Sequence, residues 1–303
     1  MDISAPSFNG SQKKIFELGQ KRLEKFASLF ARVLIRDDPE SIHDARVASR
    51  RLQQILRVLF PKPAPKKCRR LVRTLRRARR ALGDCRNFDV MRELIQERID
   101  AASNPVVRDA WDQLKVHLQE KHKRELIRAR GELSQCDIVD FVNRTQTLLG
   151  SLASPEEIDP ILTKSIARAL EEWTEAVGGT KQSQAPEQIH ALRIAVKRLR
   201  YRIELLAELG DSSAKVQVKT LRTLQDQLGR WHDHHVLMQL AGKFLGRSDF
   251  LFTHPDLSRA LLVEMERERR RNDTAVGNIL KSAEKIRDAW AGAESKVPQD
   301  AAT

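Results

Sequence analysis

A short sequence pattern occurs twice, and in each copy a histidine is followed by a row of basic residues. In the first copy, residues 39–52, His43 is followed by basic residues three, seven and eight positions later. In the second copy, residues 186–199, His190 is followed by basic residues at the same spacing. Rows of cations bind anions, and the guanidinium fork of arginine matches phosphate oxygens bidentately. The repeat therefore indicates a chain with two similar halves, whose basic residues form an anion-binding surface.

A helix turns by about 100° per residue, and this turn gathers the cations of each copy on one face and the apolar side chains on the other. Ser41 and Asp44 predict the start of the first of these helices, which puts His43 in its first turn. Backbone N–H groups and the helix dipole favour an anion there, and both a phosphate-contacting role and a purely structural role fit the two histidines. The predicted anion-binding residues are His43, Arg46, Arg50, Arg51 and Arg57 in the first copy and His190, Arg193, Lys197, Arg198 and Arg200 in the second.

A second basic helix follows each histidine helix. Residues 62–80 contain ten Lys and Arg and no acidic residue. Like charges one helical turn apart repel, and an ordinary solvated face mixes Glu among them to avoid that cost. Gly83 and Gly229 are predicted to end these second helices. The predicted binding row is Arg69, Arg73, Arg76 and Arg80 in the first copy and Lys215, Lys219 and Arg222 in the second.

Composition predicts an all-α fold with a polyanionic partner. Of 303 residues 41% are apolar, good helix formers dominate, and strand-like alternation is nearly absent. Together with the sequence repeat, this composition favours two similar helical bundles packed into one pseudo-symmetric body. The boundary between the two halves is predicted near residues 150–155. The net charge is +14 and the isoelectric point is near 10.0. Such a balance is typical of proteins that bind nucleic acid, an acidic membrane surface or a phosphate polymer.

Several classes of site and location are disfavoured by the sequence. Cys68, Cys85 and Cys136 are widely spaced and odd in number, which argues against a disulfide framework and a thiolate metal site. The first residues show neither the basic nor the apolar region of a secretion signal. No apolar run approaches the roughly 18 residues that span a bilayer. We therefore expect a cytoplasmic protein without a membrane partner.

The two histidine motifs resemble those of the CHAD family, named for its histidine and α-helical domain. The resemblance rests on Ile-His-Asp-Ala-Arg-Val-Ala-Ser-Arg-Arg-Leu at 42–52 and Ile-His-Ala-Leu-Arg-Ile-Ala-Val-Lys-Arg-Leu-Arg-Tyr at 189–201. Residues 82–90 and 228–236 support it, and it extends over about 13–291. It implies two four-helix bundles, residues 1–152 and 153–303, that are related by a pseudo-twofold axis with a basic cavity between them.

The resemblance also implies binding of inorganic polyphosphate and recruitment to polyphosphate granules. Carried over by position, the binding residues are His43, Arg46, Arg50, Arg51, Arg73 and Arg76, and again His190, Arg193, Lys197, Arg198, Lys219 and Arg222. The chain departs from the family pattern at Asn87, where the family prefers Asp, and at His232, where Asn is common. These departures concern the helix junctions.

Nucleic-acid binding, catalysis and metal binding are alternatives to polyphosphate binding. Nucleic-acid binding is the main alternative, but only 5% of residues are aromatic, and no helix-turn-helix or zinc-finger signature occurs. The family is sometimes fused to a catalytic, triphosphate-processing β-barrel, whose pattern the Glu-x-Glu-x-Glu at 264–268 resembles, but this stretch is helical and no barrel-sized β region occurs. A Walker A loop and a serine-hydrolase elbow are absent from the sequence as well. His232, Asp233 and His235 are plausible metal ligands, although a structural helix start is favoured. We therefore expect a non-catalytic polyphosphate-binding protein with no cofactor and no metal, acting in targeting or scaffolding.

Overall fold

Helices make up almost the whole chain. The computed structural model describes residues 11–36, 38–61, 63–151 and 155–294, and within these ranges it contains no strand. The prediction of an all-α fold is confirmed. Lys62 of the basic run and the predicted 152/153 boundary lie outside the described residues. The helices are α1 (Ser11–Ile35), α2 (Pro39–Leu59), α3 (Lys66–Ala81), α4 (Gly83–Ala101), α5 (Pro105–Ser134), α6 (Ile138–Gly150), α7 (Pro155–Gln182), α8 (Pro186–Leu209), α9 (Ser213–Leu245), α10 (Ser248–Thr253) and α11 (Pro255–Glu294).

Contacts within the chain define two compact units. The His43 unit consists of the described parts of residues 16–152 and 233–272. The His190 unit consists of the described parts of residues 1–15, 153–232 and 273–303. Residues 233–272 therefore belong with the first half of the sequence, and α9 and α11 each contribute to both units. The sequence repeat with bounds 1–152 and 153–303 stays a prediction.

Each unit is held by its own apolar core. In the His43 unit one cluster forms around Trp111, Leu114 and Phe244, where α4, α5, α9 and α11 meet. In the His190 unit the cluster forms around Trp173 and Trp231, which join α7, α8, α9 and α11. Burial of these side chains contributes roughly 1.5–3 kcal/mol each, which is the main source of stability for a helical unit.

The basic helices α2 and α3 pack through the apolar faces that their sequences predict. On α2 the side chains of Leu52, Ile55 and Leu56 are fully buried, and on α3 Leu75 is buried in the same way. The core positions predicted for α8 are buried as well, from Leu192 to Leu206. With one face of each helix fixed against a core, most cations between these positions project from the other face, and Arg200 of α8 is an exception.

The start of α2 differs from the prediction by almost one turn. Asp38, rather than Ser41, caps the helix: one of its carboxylate oxygens accepts the backbone N–H of Glu40 at 3.1 Å, and the other accepts the Ser41 hydroxyl. Proline at the first helical position, Pro39, has the backbone angle that suits a helix start. His43 consequently lies in the second turn, where backbone N–H groups already bond within the helix. The expectation that the helix terminus itself presents an anion site beside His43 is therefore wrong.

The two glycines expected to end the second basic helices behave differently. α3 ends at Ala81, two residues before Gly83, and α4 begins at Gly83. By contrast α9 runs through Gly229 without a break, so the predicted stop there is wrong. A single glycine inside a helix costs only about 1 kcal/mol relative to alanine. The apolar residues Leu224, Leu228 and Trp231 on both sides of Gly229 are buried and outweigh that cost.

This geometry predicts opposite effects for alanine at two glycines. A methyl group at Gly229 would meet no atom within 4 Å, so Gly229→Ala should raise the free energy of unfolding by about 0.5–1 kcal/mol. Gly210 ends α8 with a φ of 118°, which side chains rarely adopt, so Gly210→Ala should lower stability by about 1 kcal/mol or more. Urea unfolding of both variants measures the two effects. A destabilised Gly229→Ala variant would contradict the continuous helix.

Candidate functional site

Helix α2 presents His43 to solvent beside arginines from two helices. His43 is exposed, whereas Arg46 and Arg50, one and two turns further along, are half-buried. Burial lowers the pKa of His43, and the positive charges of Arg86, Arg46 and Arg50 lower it further, against the opposing effect of Asp44. The predicted row on α2 therefore forms, and Arg86 from the first turn of α4 joins it.

Arg46 ties α2 to the end of α3 and is surrounded by positive charge. Its guanidinium donates a hydrogen bond to the backbone carbonyl of Arg79. Burial lowers the pKa of Arg46 to about 10, and the charges of Arg50 and Arg86 add to the shift. No carboxylate of the described residues forms an ion pair with Arg46. A half-buried guanidinium without a counter-ion is costly, and it is a group that an external anion would stabilise.

Arg79 resembles Arg46 in its partial burial and in the positive charges around it, and it was not among the residues predicted from the sequence. It is half-buried, and burial followed by the charges of Arg50 and Arg46 lowers its pKa to about 10. One of its terminal nitrogens, Nη1, is buried and has no hydrogen-bond partner among the described residues. The predicted row on α3 followed the outermost arginines and passed over Arg79. Its position directly after the buried Ala78, on the side of α3 that packs on α2, is the signal that identifies it.

These side chains line an open cleft at the junction of α2, α3 and α4. The cleft has a volume of about 590 Å³. Arg128 from α5 lies at its edge and forms ion pairs with Asp84 at 3.3 Å and Glu132 at 2.7 Å. Arg128 thereby engages both carboxylates at the rim, whereas Arg46, Arg76, Arg79 and Arg80 form no ion pair with a described residue. The cationic members of the cleft are Arg46, Arg76, Arg79, Arg80 and Arg128.

We call the set His43, Arg46, Arg50, Arg76, Arg79, Arg80 and Arg86 the α2–α4 cationic cluster. The other predicted residues of the His43 unit lie around it. Arg57 is close enough to lower the pKa of Arg79. Arg69 and Arg73 are exposed on α3. The backbone carbonyl of Arg51 accepts a hydrogen bond from Arg22 at 3.1 Å, which joins α2 to α1.

The His190 unit repeats the histidine and part of the cation row. His190 is exposed, and its pKa is lowered by burial and then by the charges of Arg193 and Lys197. The ring of His232 on α9 lies 5.6 Å from the ring of His190. On α9 the predicted residues are all exposed, namely Lys215, Lys219 and Arg222.

Two predicted cations of α8 are paired with carboxylates. Arg198 forms an ion pair with Glu172 of α7 at 2.8 Å. Arg200 does not lie on the exposed face, and its place in the predicted row is wrong. It is only 6% exposed, and it bonds Glu204 at 3.1 Å and Gln225 at 2.9 Å, with its guanidinium over the ring of Tyr201. These polar partners compensate the burial of its charge, which the turn of the helix places towards α9.

Two of the candidate metal ligands, His232 and His235, have different neighbours. The ring of His235 lies 3.1 Å from the side-chain nitrogen of Gln239. The neighbouring His234 pairs instead with the buried Glu268 at 3.3 Å, and Arg98 completes this group at 2.9 Å. In the described part of the chain no three His, Cys, Asp or Glu residues are grouped to hold a metal ion. A search of the described helices also finds none with the length and apolar character of a membrane span.

Comparison with known proteins agrees with this architecture. The model of the CHAD domain matches residues 17–242, and the chain therefore belongs to the CHAD domain family. A search of curated protein sequences found no significant match. Among solved structures, the CHAD domain from the plant Ricinus communis is similar with a TM-score of 0.65 at 18% identity, over 90% of this chain and 91% of that one. PptA from Streptomyces chartreusis is similar with a TM-score of 0.64 at 15% identity, over 90% of this chain and 99% of that one.

The buried ion pair of α8 generates a test of which cations are structural. Arg200→Ala should lower the free energy of unfolding by about 3–5 kcal/mol, because it leaves the carboxylate of Glu204 buried without its partner. Lys197→Ala, on the half-exposed face of the same helix, should change stability by less than about 0.5 kcal/mol. Urea unfolding measures both. An Arg200→Ala variant as stable as Lys197→Ala would show that the pair contributes nothing to the core.

Proposed function

We propose that the chain binds inorganic polyphosphate without catalysing its turnover, and that the α2–α4 cationic cluster is the principal binding site. The observation that carries the proposal is the pair Arg46 and Arg79. Both are half-buried, both have a pKa lowered to about 10, and neither forms an ion pair with a described residue. Burial of unpaired charges costs stability, so such groups are retained where a ligand supplies the missing negative charge.

Polyphosphate fits the shape and charge of the cleft. It is a thin, flexible chain with about one negative charge per phosphate, so it can reach half-buried guanidinium groups and release counter-ions as it binds. A duplex of nucleic acid presents its phosphates on a broad, stiff surface, which suits the exposed Arg69 and Arg73 better than the recessed Arg46 and Arg79. The cluster contains no aromatic platform on which bases would stack.

A binding role suits the chemistry of the cluster better than catalysis. Its donors are guanidinium groups, which stay protonated and hold phosphate oxygens without transferring protons. His43 is the one group of the cluster that titrates near neutral pH. We therefore propose a protein that attaches itself, and whatever it carries, to phosphate polymers such as those in polyphosphate granules. The His190 unit is proposed to add a second, weaker surface through His190, Arg193, Lys197, Lys215, Lys219 and Arg222.

Removal of one recessed arginine tests this assignment. Arg79→Gln should weaken polyphosphate binding by about 10- to 100-fold, because it removes charge-assisted hydrogen bonds worth about 1.5–3 kcal/mol. The same variant should be as stable as the original chain or more stable, because it relieves repulsion from Arg46 and Arg50. Fluorescence titration with labelled long-chain polyphosphate at fixed salt measures the affinity, and thermal unfolding measures the stability.

Lys123→Gln on α5 is the matched control, since it makes the same change in net charge at an exposed position. It should change the affinity by less than about twofold, because an exposed charge outside the site acts only through screened interactions. Equal losses in the two variants would show that net charge, rather than the cluster, determines binding. Retained affinity in Arg79→Gln would remove this residue from the site.

Binding should also depend on pH through His43. In the free protein the pKa of His43 is below its usual 6.5, so the ring is neutral at pH 7. A bound polyanion favours the charged form and raises that pKa, so binding takes up a proton. Affinity is therefore highest at low pH and falls as the pH rises from the free-state pKa through the bound-state pKa. Titrations between about pH 5 and 8 measure the slope.

His43→Gln should reduce this pH dependence while leaving the affinity at pH 8 nearly unchanged. His254→Gln, at an exposed histidine next to α10, is the control and should keep the original slope. An unaltered slope in His43→Gln would mean that the ring does not sense the ligand, and a structural role for His43 would then be preferred.

A further inference from the structure

A second cleft lies in the His43 unit between α3, the end of α5 and α6. It has a volume of about 220 Å³ and is distinct in its lining from the α2–α4 cationic cluster. Its floor is apolar and consists of the buried side chains of Leu71, Ala78, Leu133 and Phe141. The rim is polar and carries charges of both signs. This combination of apolar floor and few convergent polar groups is typical of small-molecule sites.

The cleft exists because α3 presents small side chains to α6. Thr74, Ala78 and Ala81 follow one another at successive turns on this face, and all three line the cleft. Larger side chains at these positions would fill the space. Protein interiors are otherwise close-packed, so a space of this size next to a continuous core requires such a run of small residues.

Half of the six charged residues around the rim form ion pairs. Arg144 pairs with Asp140 at 2.7 Å, and Glu132 pairs with Arg128 at 2.7 Å. Arg77 donates to the neutral side chain of Gln135 at 3.0 Å, so its charge is not neutralised. Within the part of the chain that the structure describes, Arg70 and Asp137 form no ion pair.

The unpaired charges of the rim have opposite sign, and two of them, Arg77 and Asp137, lie close to Cys136. Arg77 is close enough to lower the pKa of this thiol and Asp137 close enough to raise it, although burial has the largest effect and raises it overall. Asp137 uses one carboxylate oxygen to accept the backbone N–H of Asp140 at 2.9 Å and so caps α6. The guanidinium groups of Arg70 and Arg77 and the carboxylate of Asp137 therefore line the same small cleft.

We propose that this cleft binds a small zwitterion of the α-amino acid class. Its carboxylate is held by Arg70 and Arg77, its ammonium group by Asp137, and its apolar side chain packs on Phe141. An anion alone would gain the guanidinium groups but face Asp137, and a cation alone would face Arg70 and Arg77. Only a molecule with both charges satisfies both sides. This site is independent of polyphosphate binding, because its unpaired rim residues and its floor lie outside the α2–α4 cationic cluster.

The cysteines of the chain provide a direct assay. Cys68 and Cys85 are 1% and 0% exposed, whereas Cys136 is half-buried at the cleft. Iodoacetamide, a small neutral reagent, should therefore modify Cys136 in the folded protein, and peptide mass spectrometry follows the rate at that residue. With millimolar L-leucine present, we expect the rate at Cys136 to fall about tenfold, as for a site occupied most of the time.

Analogues of the ligand decide which charges are needed. N-acetyl-L-leucine lacks the ammonium charge and leucinamide lacks the carboxylate, so neither should protect Cys136. Inorganic phosphate at the same concentration should not protect it either. Absence of protection by leucine would overturn the proposal. Equal protection by either analogue or by phosphate would also overturn it, because the cleft would then bind single charges.

Two variants locate the protection in the cleft. Arg70→Gln and Asp137→Asn each remove one unpaired charge, and asparagine still caps α6. Arg70→Gln should keep the rate of modification in the absence of leucine, whereas Asp137→Asn should raise it, because Asp137 raises the pKa of the Cys136 thiol. In both variants half-protection, measured relative to that variant's own rate without leucine, should need about ten times more leucine. Arg73→Gln, also on α3 but outside the lining of the cleft, is the control and should protect like the original chain. Protection that is unchanged in Arg70→Gln and Asp137→Asn would place leucine elsewhere.

Discussion

The like-charge crowding at the junction of α2, α3 and α4 is the constraint on which the rest of the site depends. Half-buried arginines repel one another there, and their pKa values fall to about 10 as a result of burial and of their neighbours. Only a rigid apolar framework can hold such groups together. Leu52, Ile55 and Leu75 supply it on the opposite faces of α2 and α3. If the cluster binds polyphosphate as proposed, the free energy lost to repulsion is regained when the polymer binds.

The basic residues of the two units have different partners. For this reason we expect the two units to bind polyphosphate with different affinities. In the His190 unit Arg198 and Arg200 are neutralised by Glu172 and Glu204. The first pair joins α8 to α7, and the second lies within α8, where Arg200 also bonds Gln225 of α9. In the His43 unit Arg128 engages Asp84 and Glu132 at the rim of the cleft, and Arg46 and Arg79 form no ion pair with a described residue. A repeated sequence motif has thus produced one surface open to an anion and one partly used for packing.

Much of the fold was predictable from the sequence because helix faces depend on local periodicity. The buried side of α2 and α8 follows directly from it. The departures come from interactions that a single helix does not contain. Arg79 belongs to the site because α2 packs on that side of α3, and Arg200 leaves it because Gln225 of α9 meets it. Gly229 does not end a helix because the residues on both sides of it are buried, and Pro39 rather than Ser41 sets the start of α2.

The central claim is that the recessed arginines select a phosphate polymer over other polyanions. A competition titration tests it most directly: labelled long-chain polyphosphate is bound at fixed, near-physiological salt and displaced by duplex or single-stranded DNA at equal phosphate concentration. The account predicts that nucleic acid displaces poorly, because its bulk keeps its phosphates from Arg46 and Arg79. Displacement as effective as that by unlabelled polyphosphate would contradict it and would make the protein a general polyanion binder.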